Sequence, residues 1–240
     1  MILEKLAEST RRRVEAAKKK APFEELKSRI FYKGKAKKFH QREDFAFEKA
    51  LSKEGISFIC EVKKASPSKG LIAPVFPYQE IAIQYEKAGA DAVSVLTEPE
   101  YFQGRDVYLK EISESVNIPV LRKDFIIDEY QIYESKLLGA DAVLLICALL
   151  DADTLRRYIG ICDELGLSAL AEAHTKEEIA SAMESGARVI GVNNRNLQTF
   201  EVDIRNCIML RERVPKDIIY VAESGIQTRD DISMLEKAGV

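Results

Sequence analysis

The sequence predicts an α/β fold of the TIM (β/α)8-barrel type, preceded by an N-terminal helical extension. Two observations predict this fold. From about residue 56 onward, short apolar runs alternate with helical segments of roughly 10 to 15 residues, a pattern typical of parallel strands joined by crossover helices. A glycine-containing motif also recurs along the chain, at intervals that fit pairs of such strand-helix units.

Seven strands are predicted from the apolar, β-branched runs, at about 57–62, 91–96, 117–121, 140–147, 168–171, 187–192 and 217–222. Before them, residues 1–20 have the apolar stripe of an amphipathic helix, which Pro22 interrupts. A second helix is predicted at about 44–52, with Asp44 as its cap. We therefore expect two regions, a helical extension over 1–55 and a barrel over 56–240.

The repeated motif is clearest in the pair EKAGADAV at 86–93 and KLLGADAV at 136–143. Two further copies are MESGARVI at 183–190 and LEKAGV at 235–240. Each glycine is predicted to cap a helix C-terminus and lead directly into a strand. Each interval holds two strand-helix units, so the four copies suggest eight units.

Only seven strands are found, because the fourth copy of the motif stops at Val240, where an eighth strand should begin. We therefore expect this chain to be truncated before strand 8. A seven-stranded parallel sheet leaves two unpaired edges. A monomer is expected, with an oligomer formed through the open edge as the alternative.

Composition limits the classes of function. With 240 residues, 46% hydrophobic residues and a net charge of −3, the chain suits one large domain and does not favour bulk nucleic-acid binding. No apolar run approaches the 18 residues of a membrane span. Its four cysteines form no CxxC pair, which argues against a zinc site and a disulfide framework. A cytoplasmic protein that binds no metal is expected.

Positive charge is concentrated near the N-terminus, where residues 11–38 contain 12 Lys or Arg and 3 Glu. One interpretation is a solvated helix face, since most charge runs have that role. The other is a basic collar that attracts an anionic substrate.

Charged residues stand at the ends of several predicted strands, where barrel enzymes carry their chemistry. Glu61 and Lys63 are two residues apart, so strand alternation points both side chains the same way. By itself this pair could be a salt-bridged strand end. Other strand ends supply Glu98, Lys123, Glu172 and Glu223. Two lysines and up to three of these four glutamates at one mouth favour proton transfer on an anionic substrate.

A small turn and a histidine also follow predicted strands. The small turn Ser224-Gly225 follows strand 7, a position where barrels commonly bind phosphate, and Arg195 could assist. His174 follows Glu172 by two residues, but a single histidine without partners is expected to be a surface residue.

The charged strand ends and the segments around them resemble those of the indole-3-glycerol-phosphate synthase family. The resemblance rests on segments in order along nearly the whole chain, namely 58–68 (FICEVKKASPS), 95–98 (VLTE), 101–104 (YFQG), 121–126 (LRKDFI), 171–173 (AEA), 191–197 (GVNNRNL) and 221–226 (VAESGI). It implies closure of the indole ring of 1-(2-carboxyphenylamino)-1-deoxyribulose 5-phosphate, with loss of carbon dioxide and water. It also implies no cofactor, and a substrate that carries a carboxylate and a phosphate.

The resemblance assigns roles to individual residues. Lys123 matches a general acid that protonates the ketone oxygen, and Glu172 matches the group that accepts or relays a proton during dehydration. Lys63 matches a lysine that neutralises substrate anions and is also a candidate acid. The positioning and substrate-binding matches are Glu61, Asn193, Ser66, Phe102, Arg195, Glu223, Ser224 and Gly225.

Two other functions remain open from the sequence. One is a non-catalytic, truncated barrel, because the remaining phosphate ligands of the family follow strand 8. The other is a Schiff-base aldolase on the same fold, with Lys123 or Lys63 as the nucleophilic amine.

Overall fold

The computed structural model describes residues 2–32, 35–36, 42–196 and 199–240. It begins with α1 (Ile2–Lys20) and α2 (Phe23–Ile30), followed by the two-residue strands β1 (Phe31–Tyr32) and β2 (Lys35–Ala36) and by α3 (Ala46–Leu51).

The predicted helices at 1–20 and 44–52 are confirmed. Asp44 as a cap is wrong, since Phe45 precedes α3 and no side chain caps it. Helix α2 was not predicted, because Pro22 was interpreted only as an interruption, whereas it is the N-cap residue of α2.

Seven parallel strands form the main sheet, and all seven predicted strands are confirmed. They are β3 (Ile59–Val62), β6 (Ala92–Leu96), β7 (Val120–Lys123), β8 (Ala142–Ile146), β9 (Ser168–Ala173), β10 (Val189–Asn193) and β11 (Ile219–Glu223). A small hairpin of β4 (Ala65–Ser66) and β5 (Gly70–Leu71) follows β3. The helices between and after the strands are α4 (Tyr78–Lys87), α5 (Asp106–Ser115), α6 (Glu129–Leu137), α7 (Ala152–Leu165), α8 (Lys176–Glu184), α9 (Arg205–Arg211) and α10 (Arg229–Lys237).

Strand order in the sheet follows chain order, so each strand pairs in parallel with the next one along the chain. The sheet is curled, as the packing of its two edge strands shows. Ile59 of β3 and Val221 of β11 pack against the same inner cluster that contains Leu121 of β7. The edge strands β3 and β11 also line one cavity of about 520 Å³. At the starting ends of the strands, Phe47 of α3 is fully buried in this cluster. The architecture is therefore that of a TIM-type barrel.

The repeated glycine motif forms the same helix ending each time. Gly89, Gly139, Gly186 and Gly239 all have positive φ, between 79° and 94°. In each copy the residue after the glycine donates its N–H to a carbonyl five residues back, as Ala90 does to Tyr85 at 3.0 Å and Ala140 to Ser135 at 3.0 Å. This is the Schellman ending, which lets the chain leave the helix and enter a strand at once.

Helix α1 is attached to the end of strand β7 by a buried ion pair. The Arg13 guanidinium donates to both oxygens of Asp124, at 2.8 and 2.7 Å. The Asp124 side chain is fully buried and also accepts from Thr97 Oγ1 at 2.6 Å. Because Asp124 directly follows Lys123, this pair fixes α1 relative to a candidate site residue.

Replacing Arg13 should therefore destabilise the fold. We expect Arg13→Ala to lower the free energy of unfolding by about 2 kcal/mol, since a buried carboxylate loses a charged hydrogen-bonding partner. Urea unfolding measures this change. Arg12→Ala is the matched control, because Arg12 is 60% exposed and its nearest carboxylate oxygens lie at 3.7 and 3.8 Å. Equal stability losses in the two variants would contradict the structural role of the Arg13–Asp124 pair.

Candidate active site

A cavity of about 370 Å³ lies at the carboxyl ends of the strands. Nine of the site residues predicted from the sequence line it, namely Glu61, Lys63, Ser66, Phe102, Lys123, Glu172, Asn193, Arg195 and Ser224. Leu3 and Leu6 of α1 also line it, so the first helix forms part of its wall. The other two predicted residues, Glu223 and Gly225, are not among the lining residues.

Lys123 is the last residue of β7, and its ammonium group is held between two carboxylates. Its Nζ donates to Glu223 Oε2 at 2.9 Å and lies 3.4 Å from Glu61 Oε2. Glu61 in turn accepts from Lys63 Nζ. Glu61 and Lys63 therefore share one face as predicted, and their contact is an ion pair within a larger network.

Burial and neighbouring charges act against each other in this network. Burial alone would lower the pKa of Lys123, but the carboxylates of Glu223, Glu61 and Glu172 raise it well above its usual range. Burial alone would raise the pKa of Glu61, but Lys123 and Lys63 lower it. Lys123 therefore remains a protonated ammonium ion at neutral pH, which is the state of a proton donor.

Arg122 fixes the strand end from which Lys123 points inward. Strand alternation directs Arg122 outward, where its side chain is 1% exposed. Its guanidinium donates to Glu134 at 2.8 Å, Asp106 at 3.2 Å and Asp124 at 3.3 Å. These bonds join β7 to helices α5 and α6. The register of the strand, and so the direction of Lys123, is thereby specified.

Glu172 lies in the most buried part of the site, with its side chain 4% exposed. Burial and the nearby Glu223 carboxylate raise its pKa to about 7, although Lys123 and His174 partly oppose this shift. A carboxyl group with such a pKa can both accept and return a proton near neutral pH.

Gly191 of β10 leaves the space that Glu223 occupies. A Cβ atom at this position would lie 2.3 Å from Glu223 Oε1 and 3.1 Å from Leu170 Cδ1. Glu223 Oε1 is buried, and it has no hydrogen-bonding partner among the described residues. Any larger residue at position 191 would therefore displace a carboxylate that holds Lys123.

The turn after β11 has an unusual backbone. Ser224 and Gly225 both have left-handed φ values, 67° and 84°. A Cβ atom at Gly225 would lie 2.5 Å from Val202 Cγ1, so only glycine fits there without a shift. Ser224 is a non-glycine residue in this conformation, and such backbone strain is concentrated at functional sites.

Three more predicted residues are held by local hydrogen bonds. Asn193, the last residue of β10, accepts the backbone N–H of Arg195 at 3.0 Å. The Arg195 guanidinium donates to the carbonyl of Phe200 at 3.2 Å. Ser66 accepts the backbone N–H of Lys69 at 3.2 Å within the turn between β4 and β5.

Two sequence expectations at the strand ends are wrong. Glu98 does not line the cavity, because its fully buried carboxylate accepts the backbone N–H groups of Glu100, Tyr101 and Phe102 at 2.7 to 3.0 Å and shapes the loop that carries Phe102. His174 is not a surface residue, because its side chain is 15% exposed and lies between the carboxylates of Glu172 and Glu178.

Some cavity residues were not predicted from the sequence. Phe125 and Phe200 add aromatic surface to the lining, and Leu3 comes from a helix remote in the chain. Phe125 is two residues after Lys123 in the chain, and this proximity is the sequence signal that could have indicated it. For Leu3 the amphipathic stripe of α1 indicated a buried face but not what it covers.

The N-terminal basic segment is only partly described. Lys18 pairs with Asp128 at 2.6 Å, and Arg13 pairs with Asp124, so both belong to contacts with the barrel. Other residues of the proposed collar, Lys33, Lys37 and Lys38, lie outside the described residues. None of the helices formed by the described residues has the combined length and apolar character that a membrane span requires.

Comparison with known proteins shows the family of this chain. The family model for indole-3-glycerol phosphate synthase matches residues 3–240. The indole-3-glycerol phosphate synthase of Ruminiclostridium cellulolyticum is 60% identical over 239 residues, which cover 100% of this chain and 90% of that protein. The synthase of Endomicrobium trichonymphae is 56% identical over 236 residues, covering 98% of this chain and 89% of the relative.

A structural likeness extends beyond this family. The N-acetylmannosamine-6-phosphate 2-epimerase from Clostridium perfringens superposes with a TM-score of 0.59 and 15% identity, covering 85% of this chain and 89% of the other. At such low identity the likeness concerns the fold alone. The family match and the two close relatives together show that this chain belongs to the indole-3-glycerol phosphate synthase family.

Proposed function

We propose that this protein converts 1-(2-carboxyphenylamino)-1-deoxyribulose 5-phosphate into indole-3-glycerol phosphate, with release of carbon dioxide and water. The observation that carries the proposal is the Lys123 ammonium group, held by Glu223 and Glu61 in a cavity that Lys63 and Glu172 also line. The family relationship supports the same reaction and places it in tryptophan biosynthesis. In this proposal residues 1–55 form a helical extension beside the mouth, and 56–240 form the barrel.

The first chemical step needs an acid at the ketone of the substrate. In our proposal, the aromatic carbon that bears the carboxylate attacks the ketone carbon, and Lys123 delivers a proton to the ketone oxygen. A buried ammonium group surrounded by carboxylates holds its proton until an oxygen atom with developing negative charge is positioned beside it. Lys63, which lines the same cavity, balances the negative charge of the substrate.

The later dehydration needs a base. After carbon dioxide has left, the hydroxyl group accepts a proton from Lys63, the second candidate acid in the cavity, and departs as water. Glu172 takes the proton from the ring carbon next to nitrogen. A pKa of about 7 suits this role, because the carboxylate is present at neutral pH and is basic enough to accept the proton.

The remaining predicted residues are proposed to bind the substrate. Ser224, Gly225 and Arg195 would bind the phosphate, and Ser66 would lie near the carboxylate. Asn193 and Glu61 would position the reacting groups, and Phe102 would contact the aromatic ring. In support, all of these except Gly225 line the cavity that contains Lys123, and Ser224 belongs to the left-handed Ser224-Gly225 turn.

The reaction can be followed by the fluorescence of the indole product. A Schiff-base aldolase would instead leave a covalent adduct when borohydride is added with a keto-sugar phosphate. We expect indole formation and no borohydride adduct. No turnover of the anilino substrate by the folded protein would overturn the proposed function.

Replacement of either acid–base residue should nearly abolish turnover. We expect Lys123→Ala and Glu172→Gln each to reduce kcat by at least about a hundredfold, the range for positioned acid–base groups. Matched controls are Lys110→Ala and Glu177→Gln, because both residues are exposed on helices outside the cavity. Near wild-type turnover in either site variant would remove that residue from the mechanism.

The raised pKa of Glu172 should also lower the stability of the folded protein at alkaline pH. Its folded-state pKa of about 7 exceeds the ordinary value of 4.5, so the folded protein binds a proton more tightly than the unfolded chain. Stability linked to this group is therefore greatest below pH 4.5 and is lost as pH rises to about 7. We expect Glu172→Gln to raise Tm at pH 8 and to change it little at pH 5. An equal change at both pH values would contradict the raised pKa.

A further inference from the structure

His174 lies between two carboxylates that open toward different cavities. Its Nε2 is 3.7 Å from Glu172 Oε1, and its Nδ1 is 3.4 Å from Glu178 Oε2. Both ring nitrogens are buried, and neither forms a well-aligned hydrogen bond among the described residues. The exposed fraction of the side chain rises from 4% at Glu172 to 15% at His174 and 23% at Glu178. The three side chains thus form a line from the buried site toward solvent.

Each end of this line reaches a different cavity. Glu172 lines the substrate cavity, whereas His174 and Glu178 line a second cavity of about 590 Å³. Polar residues in the lining of the second cavity include Asn194, Asn196, Glu201 and Asp203. Asn193 and Arg195 line both cavities and separate them. A substrate seated over Glu172 would therefore leave the outer end of the line in contact with water.

Local structure holds the line in place. Glu172 and His174 are two residues apart, so both side chains extend from the same face at the end of β9. Glu178 is in the first turn of α8, and its Oε2 accepts the backbone N–H of His174 at 2.6 Å. The outer carboxylate is thus fixed to the backbone of the residue whose imidazole it faces.

Other groups near Glu172 do not offer the same path. The Oε2 atom of Glu223 is bound to Lys123. The thiol of Cys147 is also close, but burial and the carboxylates of Glu178 and Glu172 raise its pKa to about 12, so it stays protonated. His174 is the neighbour that combines two exchangeable ring positions with a direction toward the second cavity.

We propose that His174 relays protons between Glu172 and the second cavity, with Glu178 as the outer acceptor. The inference rests on the proposed function, in which Glu172 takes a proton from a ring carbon. That C–H bond breaks, its electron pair forms the double bond of the indole ring, and Glu172 becomes a carboxylic acid. The acid then protonates Nε2, the Nδ1 proton moves to Glu178, and Glu178 releases it to water.

Protons also return by the same route. The proposed reaction takes up one proton per turnover, because the substrate carboxylate leaves as neutral carbon dioxide. A proton entering through Glu178 protonates Nδ1 and releases the Nε2 proton inward to Glu172. Glu172 passes this proton through Glu223 to the amine of Lys123, which gave its own proton to the ketone oxygen. The first tautomer of the ring is thereby restored without rotation. The contacts of 3.4 and 3.7 Å exceed hydrogen-bond length, and contacts of this kind commonly tighten when substrate binds.

The test compares kcat, KM and the solvent deuterium isotope effect in wild-type protein and in His174→Gln. Glutamine fills similar space but cannot relay a proton at neutral pH. We expect kcat of His174→Gln to fall by about tenfold or more and KM to change less than about twofold. In His174→Ala, which leaves the space of the ring empty, added imidazole should restore part of the rate. An unchanged kcat in His174→Gln, or a loss that imidazole does not restore in folded His174→Ala, would overturn the relay.

A second pair of variants keeps the test decisive if His174→Gln does not fold. Glu178→Gln retains the oxygen that accepts the His174 N–H but cannot accept a proton from the ring. We expect it to lower kcat and raise the solvent isotope effect, whereas Glu177→Gln, an exposed carboxylate one residue earlier, should match wild type. Equal isotope effects in the two variants would overturn the relay.

Failure of the relay is distinguishable from failure of the proposed function. If wild-type protein makes no indole product, the function itself is wrong. The ring nitrogens of His174 can also be titrated by nitrogen NMR without substrate, and His174→Gln assigns the signal, since the chain contains two histidines. Both Glu172→Gln and Glu178→Gln should lower the imidazole pKa. No change in either variant would show that the ring is not coupled to these carboxylates, which overturns the relay.

Discussion

The site depends on one buried ammonium group that is shared among carboxylates. Lys123 is held by Glu223 at 2.9 Å and by Glu61 at 3.4 Å, and the second lysine, Lys63, balances Glu61. Removing charges from water is costly unless they are paired. The pairing stabilises the network and leaves Lys123 protonated. A buried acid and a carboxyl group of raised pKa can therefore coexist in one cavity.

A second network supports the first from outside the sheet. Arg122 and Arg13 both bind Asp124, which is fully buried and directly follows Lys123. Through these bonds β7 is joined to α5, α6 and α1. The helix that contributes Leu3 and Leu6 to the cavity is thus attached to the strand that carries the ammonium group. The position of the cavity wall formed by α1 and the placement of Lys123 therefore depend on the same buried carboxylate.

Much of the fold was predictable because its signals are local. Short apolar runs rich in β-branched residues indicated seven strands, and a glycine at the end of each repeated motif marked the return from helix to sheet. Glu61 with Lys63 could be placed together because side chains two residues apart point to the same side of an extended strand. Helix α2 was not predicted because Pro22 follows the end of α1 and also precedes the start of α2. A proline can end one helix or begin the next, and the sequence does not distinguish the two roles.

The strand order, the charged end of the sheet and the residue types gathered there could all be predicted from the amino-acid sequence. The partners of those residues depend on how the helices and strands pack in three dimensions. Arg13 and Asp124 are 111 residues apart in the chain, and no local pattern connects them. For the same reason His174 was assigned to the surface, whereas folding buries it beside Glu172 and Glu178. Contacts of this kind follow from the packing of a helix on a strand end, and periodicity along one segment contains no information about them.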